Sequence, residues 1–117
     1  ELIAILQANR KTEWIDIHNM RIQQFGAHLH IDAHITLPYY YSLKEAHQEM
    51  ENVIHLLAEK VDRTIEFNFH LDYCKPFSCE ICAIDCPFRE KPFVQTIQWD
   101  VKNIAGVAKH RCEPLKQ

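Results

Sequence analysis

Hydrophobic and polar side chains alternate along three stretches of the chain, 13–22, 28–37 and 66–73. This alternation is typical of β-strands that bury one face and leave the other polar. In "HLHIDAHITL" the aliphatic residues occupy one face, and the histidines, Asp32 and Thr36 occupy the other. Gly26 lies in the segment 23–27 between the first two stretches, where it predicts a hairpin connection.

A helical spacing of apolar residues appears in two further stretches. Residues 43–60 carry an apolar stripe behind Ser42, which is a good helix N-cap, and residues 2–9 form a shorter pattern. The resulting order of helix, strand, strand, helix, strand predicts an α+β sandwich of the ferredoxin-like sort over residues 1–73. We expect one long helix across the sheet and one open sheet face. The pattern does not fix the strand order.

The remaining segment, 74–117, is predicted to be a Cys-rich C-terminal extension. Its sequence allows a short fourth strand at 93–98 and a weak helix at 100–110 that contains Gly106. We therefore divide the chain into a domain at 1–73 and an extension at 74–117.

Composition narrows the possible functions. With 117 residues, 47% of them hydrophobic, the chain is long enough for one domain with a real core. The net charge is −3 and the basic residues are scattered, so we expect no nucleic acid partner. No apolar run approaches the roughly 20 residues that cross a bilayer. We therefore expect this piece to be soluble, and because it starts without Met, we expect it to be cut from a longer protein.

Histidine recurs on the polar faces of the three predicted strands, as His18, His34 and His70, and Asp72 follows two residues after His70. Imidazole nitrogen and carboxylate oxygen are zinc ligands, and adjacent strands lie roughly 4.8 Å apart, a separation that one ion can bridge. His47, at the start of the long helix, could reach the sheet end or a second subunit. The other histidines are expected to be solvated: His28, His30, His55 and His110.

Four cysteines follow the last strand with intervening gaps of four, two and three residues: Cys74, Cys79, Cys82 and Cys86. This density favours a four-cysteine zinc site in a reducing compartment. An iron–sulfur cluster is the alternative, because Cys-x-x-Cys-x-x-x-Cys-Pro matches the end of the bacterial ferredoxin run. Reduced thiols packed in a hydrophobic loop are the third possibility. Cys112 is interpreted as a spare thiol.

The sequence also resembles a known family. The segments "WIDIHNMRIQQFG", "HLHIDAHITLP", "SLKEAHQEMENVI" and "IEFNFHLD" resemble, in that order, the cytoplasmic C-terminal domain of cation diffusion facilitator transporters. The resemblance implies a metallochaperone-like αββαβ unit that dimerises beneath a membrane domain exporting zinc or a related ion. It also implies metal ligands at five positions, with the carboxylate able to bridge two ions: His18, His34, His47, His70 and Asp72. The sequence "HLDYC" lacks the proline that commonly follows the acid in this family.

These observations predict a metal-binding, dimerising regulatory domain of a divalent cation exporter, at the cytoplasmic side of the cell (inner) membrane. The transmembrane domain would lie elsewhere in the same chain. Zinc is the first choice, although the ligand types also accept cobalt, nickel, iron and manganese. No nucleophile with a base in reach is evident, so an enzyme is not expected. Two alternatives stay open: a free-standing Cys-cluster redox or electron-transfer module, and a small-molecule regulatory domain.

Overall fold

The computed structural model describes residues 2–106 and 108–110, so the prediction for Cys112 lies outside the described residues. Its main elements follow the predicted order: α1 Leu2–Asn9, β1 Asp16–Phe25, β2 His28–Leu37, α2 Leu43–Lys60 and β3 Thr64–Tyr73. Within the described part of the chain, no helix is both long enough and apolar enough to cross a membrane.

The three strands form one sheet in the order β1-β2-β3. A tight turn at Gly26, whose φ is +61°, joins β1 to β2 in antiparallel pairing. Helix α2 carries the chain back across the sheet, so β3 pairs parallel to β2. A capping box starts α2: the Ser42 hydroxyl accepts from the Glu45 N–H, and the Ser42 N–H donates to the Glu45 carboxylate at 2.8 Å.

The core lies between the sheet and the helices. Val53 and Leu57 of α2 share a buried cluster with Ile31 and Ile35 of β2. Successive strand residues point to opposite faces, so His34, between aliphatic neighbours on β2, points away from α2. The polar face predicted from the sequence is therefore the face opposite the helix.

A β-bulge interrupts β1 between His18 and Arg21. At this point Asn19 adopts a left-handed conformation with φ +53°, which Asn tolerates better than most residues. The extra residue lets Ile17 and Met20 reach the same buried cluster although they are three positions apart. The Asn19 N–H donates to the Gly106 carbonyl of the extension, so the bulge is also where the extension meets the sheet.

The extension contains a short 3₁₀ helix, Pro76–Ile81, and a five-residue helix α3, Val101–Ala105. The expected strand at 93–98 is wrong: the N–H groups of Val94 and Gln95 both donate to the Glu80 carbonyl, which takes them out of any sheet pairing. The expected helix is shorter than predicted. It begins at Val101, after the N-cap Asp100, whose side chain accepts from the Asn103 N–H at 2.8 Å, and it ends at Ala105.

The expectation of an open polar sheet face is wrong at the β1 edge. Asp16, His18 and Thr36 are only 1%, 4% and 0% exposed, whereas His70 on β3 remains exposed. The extension runs along this edge, and its Trp99 is buried in the main core cluster. The polar face is thus closed around Asp16, His18 and Thr36 and open at His70.

Candidate metal centre

The strand register aligns polar residues into two rows across the sheet. The first row is His18, His34 and His70, directly opposite one another on the three strands. Their rings stack, with centroids 5.0 Å apart from His18 to His34 and 4.7 Å apart from His34 to His70. This spacing is close to the distance between adjacent strands.

The second row lies two residues along the strands and consists of Asp16, Thr36 and Asp72. Because β1 runs antiparallel to β2, its Asp-x-His reads in reverse and matches His-x-Thr of β2 and His-x-Asp of β3. Carboxylates therefore flank the histidine row at both sides of the sheet, where they can act as ligands or as partners of ligands.

Three side chains, one from each strand, bring possible ligand atoms together: His18, His34 and Asp72. Their atoms all lie within 4.8 Å of one another, and among the described residues no other group of three or more His, Cys, Asp or Glu does so. Asp72 Oδ2 lies 3.2 Å from His34 Nδ1 and 3.5 Å from His18 Nε2. Two imidazole nitrogens and one carboxylate oxygen are a donor set that suits zinc and leaves a fourth position open.

Two buried polar atoms on this face lack a hydrogen-bond partner among the described residues, His18 Nδ1 and Thr36 Oγ1. Such atoms are uncommon in folded proteins and are often satisfied by an ordered water or an ion. The side chains of His34 and Asp72 are 32% and 24% exposed, so the centre is accessible from one side. The residues therefore fit a metal ion that enters from solvent with its remaining water.

Asp16 stands behind His18 and was not identified as a site residue from the sequence. Its Oδ2 lies 3.5 Å from His18 Nδ1 and accepts the His110 N–H at 2.7 Å, while its Oδ1 is 2.5 Å from His110 Nδ1. Burial acts to raise the pKa of Asp16, but its hydrogen bonds with His110 and its longer 3.5 Å contact with His18 outweigh the burial and lower this pKa. The hydrogen bond with Asp16 raises the pKa of His110 in spite of desolvation. The hydrogen-bonded pair of Asp16 and His110 thus links the extension to the histidine row.

The other described histidines lie outside the close trio and differ in their contacts and exposure. His70 stacks on His34 but is not in the close trio, and His47 is exposed on α2, which packs against the opposite sheet face. The expectation that His30 and His110 are only solvated is wrong. His30 Nε2 lies 3.2 Å from Glu66 Oε1, and His110 contacts Asp16. The remaining pair are exposed: His28 and His55.

The four cysteines predicted as ligands line a single cavity of about 40 Å³, beside Tyr40 and Arg89. We refer to them as the cysteine cluster: Cys74, Cys79, Cys82 and Cys86. Burial raises the pKa values of the Cys74 and Cys82 thiols, and nearby thiols in the cluster raise both further. No trio of these sulfur atoms is as close as the ligand atoms of His18, His34 and Asp72.

Comparison with known proteins defines the class. The family model of the cation efflux protein cytoplasmic domain matches residues 2–74. The chain therefore belongs to this family of cation diffusion facilitator cytoplasmic domains, which confirms the resemblance seen in the sequence. A search of curated proteins found no match.

Two solved structures support the same fold. One is the C-terminal domain of the magnetosome protein MamB from Desulfamplus magnetovallimortis BW-1, with 15% identity and a TM-score of 0.55. The other is CzrB, described as a candidate zinc transporter, with 16% identity and a TM-score of 0.57. Each match covers 63% of this chain and 89% of the other. The ferredoxin-like α+β fold class is thereby confirmed.

Proposed function

We propose that this domain binds a divalent cation, zinc first, at His18, His34 and Asp72, and that it regulates a cation efflux transporter from the cytoplasmic side of the membrane as a dimer. The observation that carries the proposal is the convergence of three ligand atoms from three strands within 4.8 Å. The description of CzrB as a candidate zinc transporter supports zinc as the first metal to test.

His70 and His47 are proposed to complete the ligand set. The exposed ring of His70 stacks beside His34 and stands two residues from Asp72, so it could bind a second ion that the Asp72 carboxylate bridges. His47 lies on the helix that covers the opposite sheet face, so its most direct route to a metal is from a second copy of the chain. A ligand shared in this way would make dimerisation depend on metal occupancy.

Regulation would follow from differential affinity. An ion shifts a conformational equilibrium only to the extent that it binds one state better than the other, and coupling energies are typically about 1 to 3 kcal/mol. Here the ion would neutralise the Asp72 carboxylate and join three strands through metal–ligand bonds. The domain has no catalytic step in this proposal, and the membrane portion of the transporter carries the transport.

Calorimetric zinc titration of the wild-type chain and of the His34→Ala and Asp72→Ala variants tests the ligand set. We expect each variant to lose one class of binding site. His28→Ala is the matched control, because it removes an exposed histidine from the same face of the same strand and should leave binding unchanged. If both site variants keep the wild-type stoichiometry, the proposed site is wrong.

Light scattering with and without zinc, on wild type and His47→Ala, measures the dimer separately.

A further inference from the structure

The cysteine cluster has the features of a second site that is independent of the histidine row. Its four side chains come from a loop and a short 3₁₀ helix that directly follow β3, and they line one small, mainly apolar cavity. The cavity volume of about 40 Å³ exceeds the roughly 10–15 Å³ that one water-sized sphere occupies, so it can hold one ion.

Backbone amides are already directed at the sulfur atoms. The Tyr39 N–H donates to Cys74 Sγ at 3.3 Å, and the Phe88 N–H donates to Cys86 Sγ at 3.3 Å. The Cys82 thiol is hydrogen-bonded with the backbone of Ile84. In two of these bonds the amide lies two residues after the cysteine. Hydrogen bonds to an ionised acceptor are about twice as strong as neutral ones, so these bonds would stabilise the thiolates of a metal-bound state against the desolvation that raises the pKa values of the free Cys74 and Cys82 thiols.

Arg89 holds the loop around the cavity in one conformation. Its guanidinium donates to three carbonyls of the loop, those of Cys79, Cys82 and Ile84, at 2.6–2.7 Å. Arg89, Lys75 and Glu90 all line the cavity and together contribute a net charge of +1. This charge partly offsets the −2 to which four thiolates and a divalent ion would sum.

We propose that the cysteine cluster binds one zinc ion through four thiolates in a closed structural site, separate from the centre on the sheet. Four thiolates form the tetrahedral shell typical of structural zinc, and binding energy of this kind contributes directly to folding. The sulfur atoms are spaced more widely than bound ligands, so the ion would draw them together by side-chain rotation. Each thiol loses its proton to solvent as its metal bond forms.

The site would fix the position of the extension on the sheet. Cys74 comes directly after β3, and Cys82 packs with Ile81 against Ile15, the residue before β1. One ion would therefore connect the end of β3 to the beginning of β1 through the loop. Further along the same extension, His110 contacts Asp16 behind the histidine row. Zinc at the cysteine cluster is thus expected to order the segment that closes the β1 side of the sheet.

Cobalt substitution tests the site without relying on activity. Thiolate–cobalt bonds give intense near-ultraviolet charge-transfer absorption, which cobalt bound only by imidazole and carboxylate lacks. We expect one equivalent of cobalt in the 117-residue chain to give this absorption, and zinc to abolish it. His34→Ala and Asp72→Ala should retain it, whereas Cys79→Ser should reduce it strongly. Absence of the absorption in the wild type, or its persistence unchanged in Cys79→Ser, would overturn the proposal.

Thiol protection gives a second test that does not depend on a cysteine variant of the cluster. In a Cys112→Ser background, four cysteines remain of the five in the chain. We expect all four to resist a thiol reagent when zinc is bound and all four to react after chelation. Equal reactivity in both states contradicts the site. If protein purified without oxygen contains stoichiometric iron and inorganic sulfide, the cysteine cluster holds an iron–sulfur cluster and not zinc, and the proposal is also overturned.

Discussion

The Asp16→Asn substitution probes the histidine row through a residue that lies behind it. Asp16 Oδ2 lies 3.5 Å from His18 Nδ1, and His18 Nε2 faces Asp72 on the side of the proposed metal. A carboxylate on the far nitrogen of a metal-binding histidine fixes the ring orientation and makes the ring more basic. The asparagine keeps the shape of the side chain but removes the charge.

The magnitude follows from the geometry. Loss of such an outer partner costs about 10- to 100-fold in metal affinity, which corresponds to about 1.4 to 2.7 kcal/mol. The 3.5 Å separation exceeds the 2.7–3.2 Å of a well-formed N–H···O bond, so we expect the lower end, about tenfold. The stoichiometry should not change, because Asp16 is not itself one of the three converging ligands.

Competition calorimetry with a zinc chelator measures the zinc affinity of Asp16→Asn at the binding site that the His34→Ala variant is expected to lose. Asp32→Asn is the matched control: it removes a carboxylate from the same sheet face, where Asp32 accepts a hydrogen bond from Asn68 at 2.6 Å. His110→Gln separates ring orientation from general loosening of the extension, because His110 contacts Asp16 directly and would act on His18 only through that carboxylate. Wild-type zinc affinity in Asp16→Asn would refute the orienting role.

Two further predictions concern stability. Trp99 is 2% exposed within the main core, so Trp99→Ala should lower the free energy of unfolding by about 3–5 kcal/mol in chemical denaturation. The control Val101→Ala, at a position that is 71% exposed, should change this free energy by less than about 0.5 kcal/mol. Equal effects of the two substitutions would contradict the packing of the extension into the core. Although desolvation opposes it, hydrogen bonds from Trp14 and Asn52 and the charge of Lys11 lower the pKa of Glu49 below its ordinary 4.5. The stabilisation by Glu49 is therefore fully present above pH 4.5 and is lost as the pH falls through the lowered pKa. The stability difference between wild type and Glu49→Gln should shrink in that acidic range, and a difference that grows there would contradict the argument.

Local pattern was sufficient to predict α1, α2, the three strands and the polar face of the sheet. Alternation around Ile31 and Ile35 identified the buried side of β2, and Ser42 marked the start of α2. These features depend on residues that are neighbours in sequence. The same local reasoning failed at 93–98, because the Glu80 carbonyl, more than ten residues away, takes the N–H groups that a strand would use.

The geometry of the candidate site was predicted in part. His18, His34 and Asp72 do converge, as their places on three strands suggested. The role of Asp16 depends on the register between β1 and β2, which a sequence pattern does not specify. Its nearness to His18 on the same polar face was the available signal. His110 lies 94 positions from Asp16, and no periodicity connects residues so far apart.

The most direct test of the central claim is a crystal of the zinc-loaded chain measured at the zinc absorption edge. We expect an anomalous peak bonded at roughly 2.0–2.2 Å to His18 Nε2, His34 Nδ1 and Asp72. A zinc-loaded crystal with no peak among these three side chains, or with the imidazole rings of His18 and His34 turned away from each other, would contradict the account.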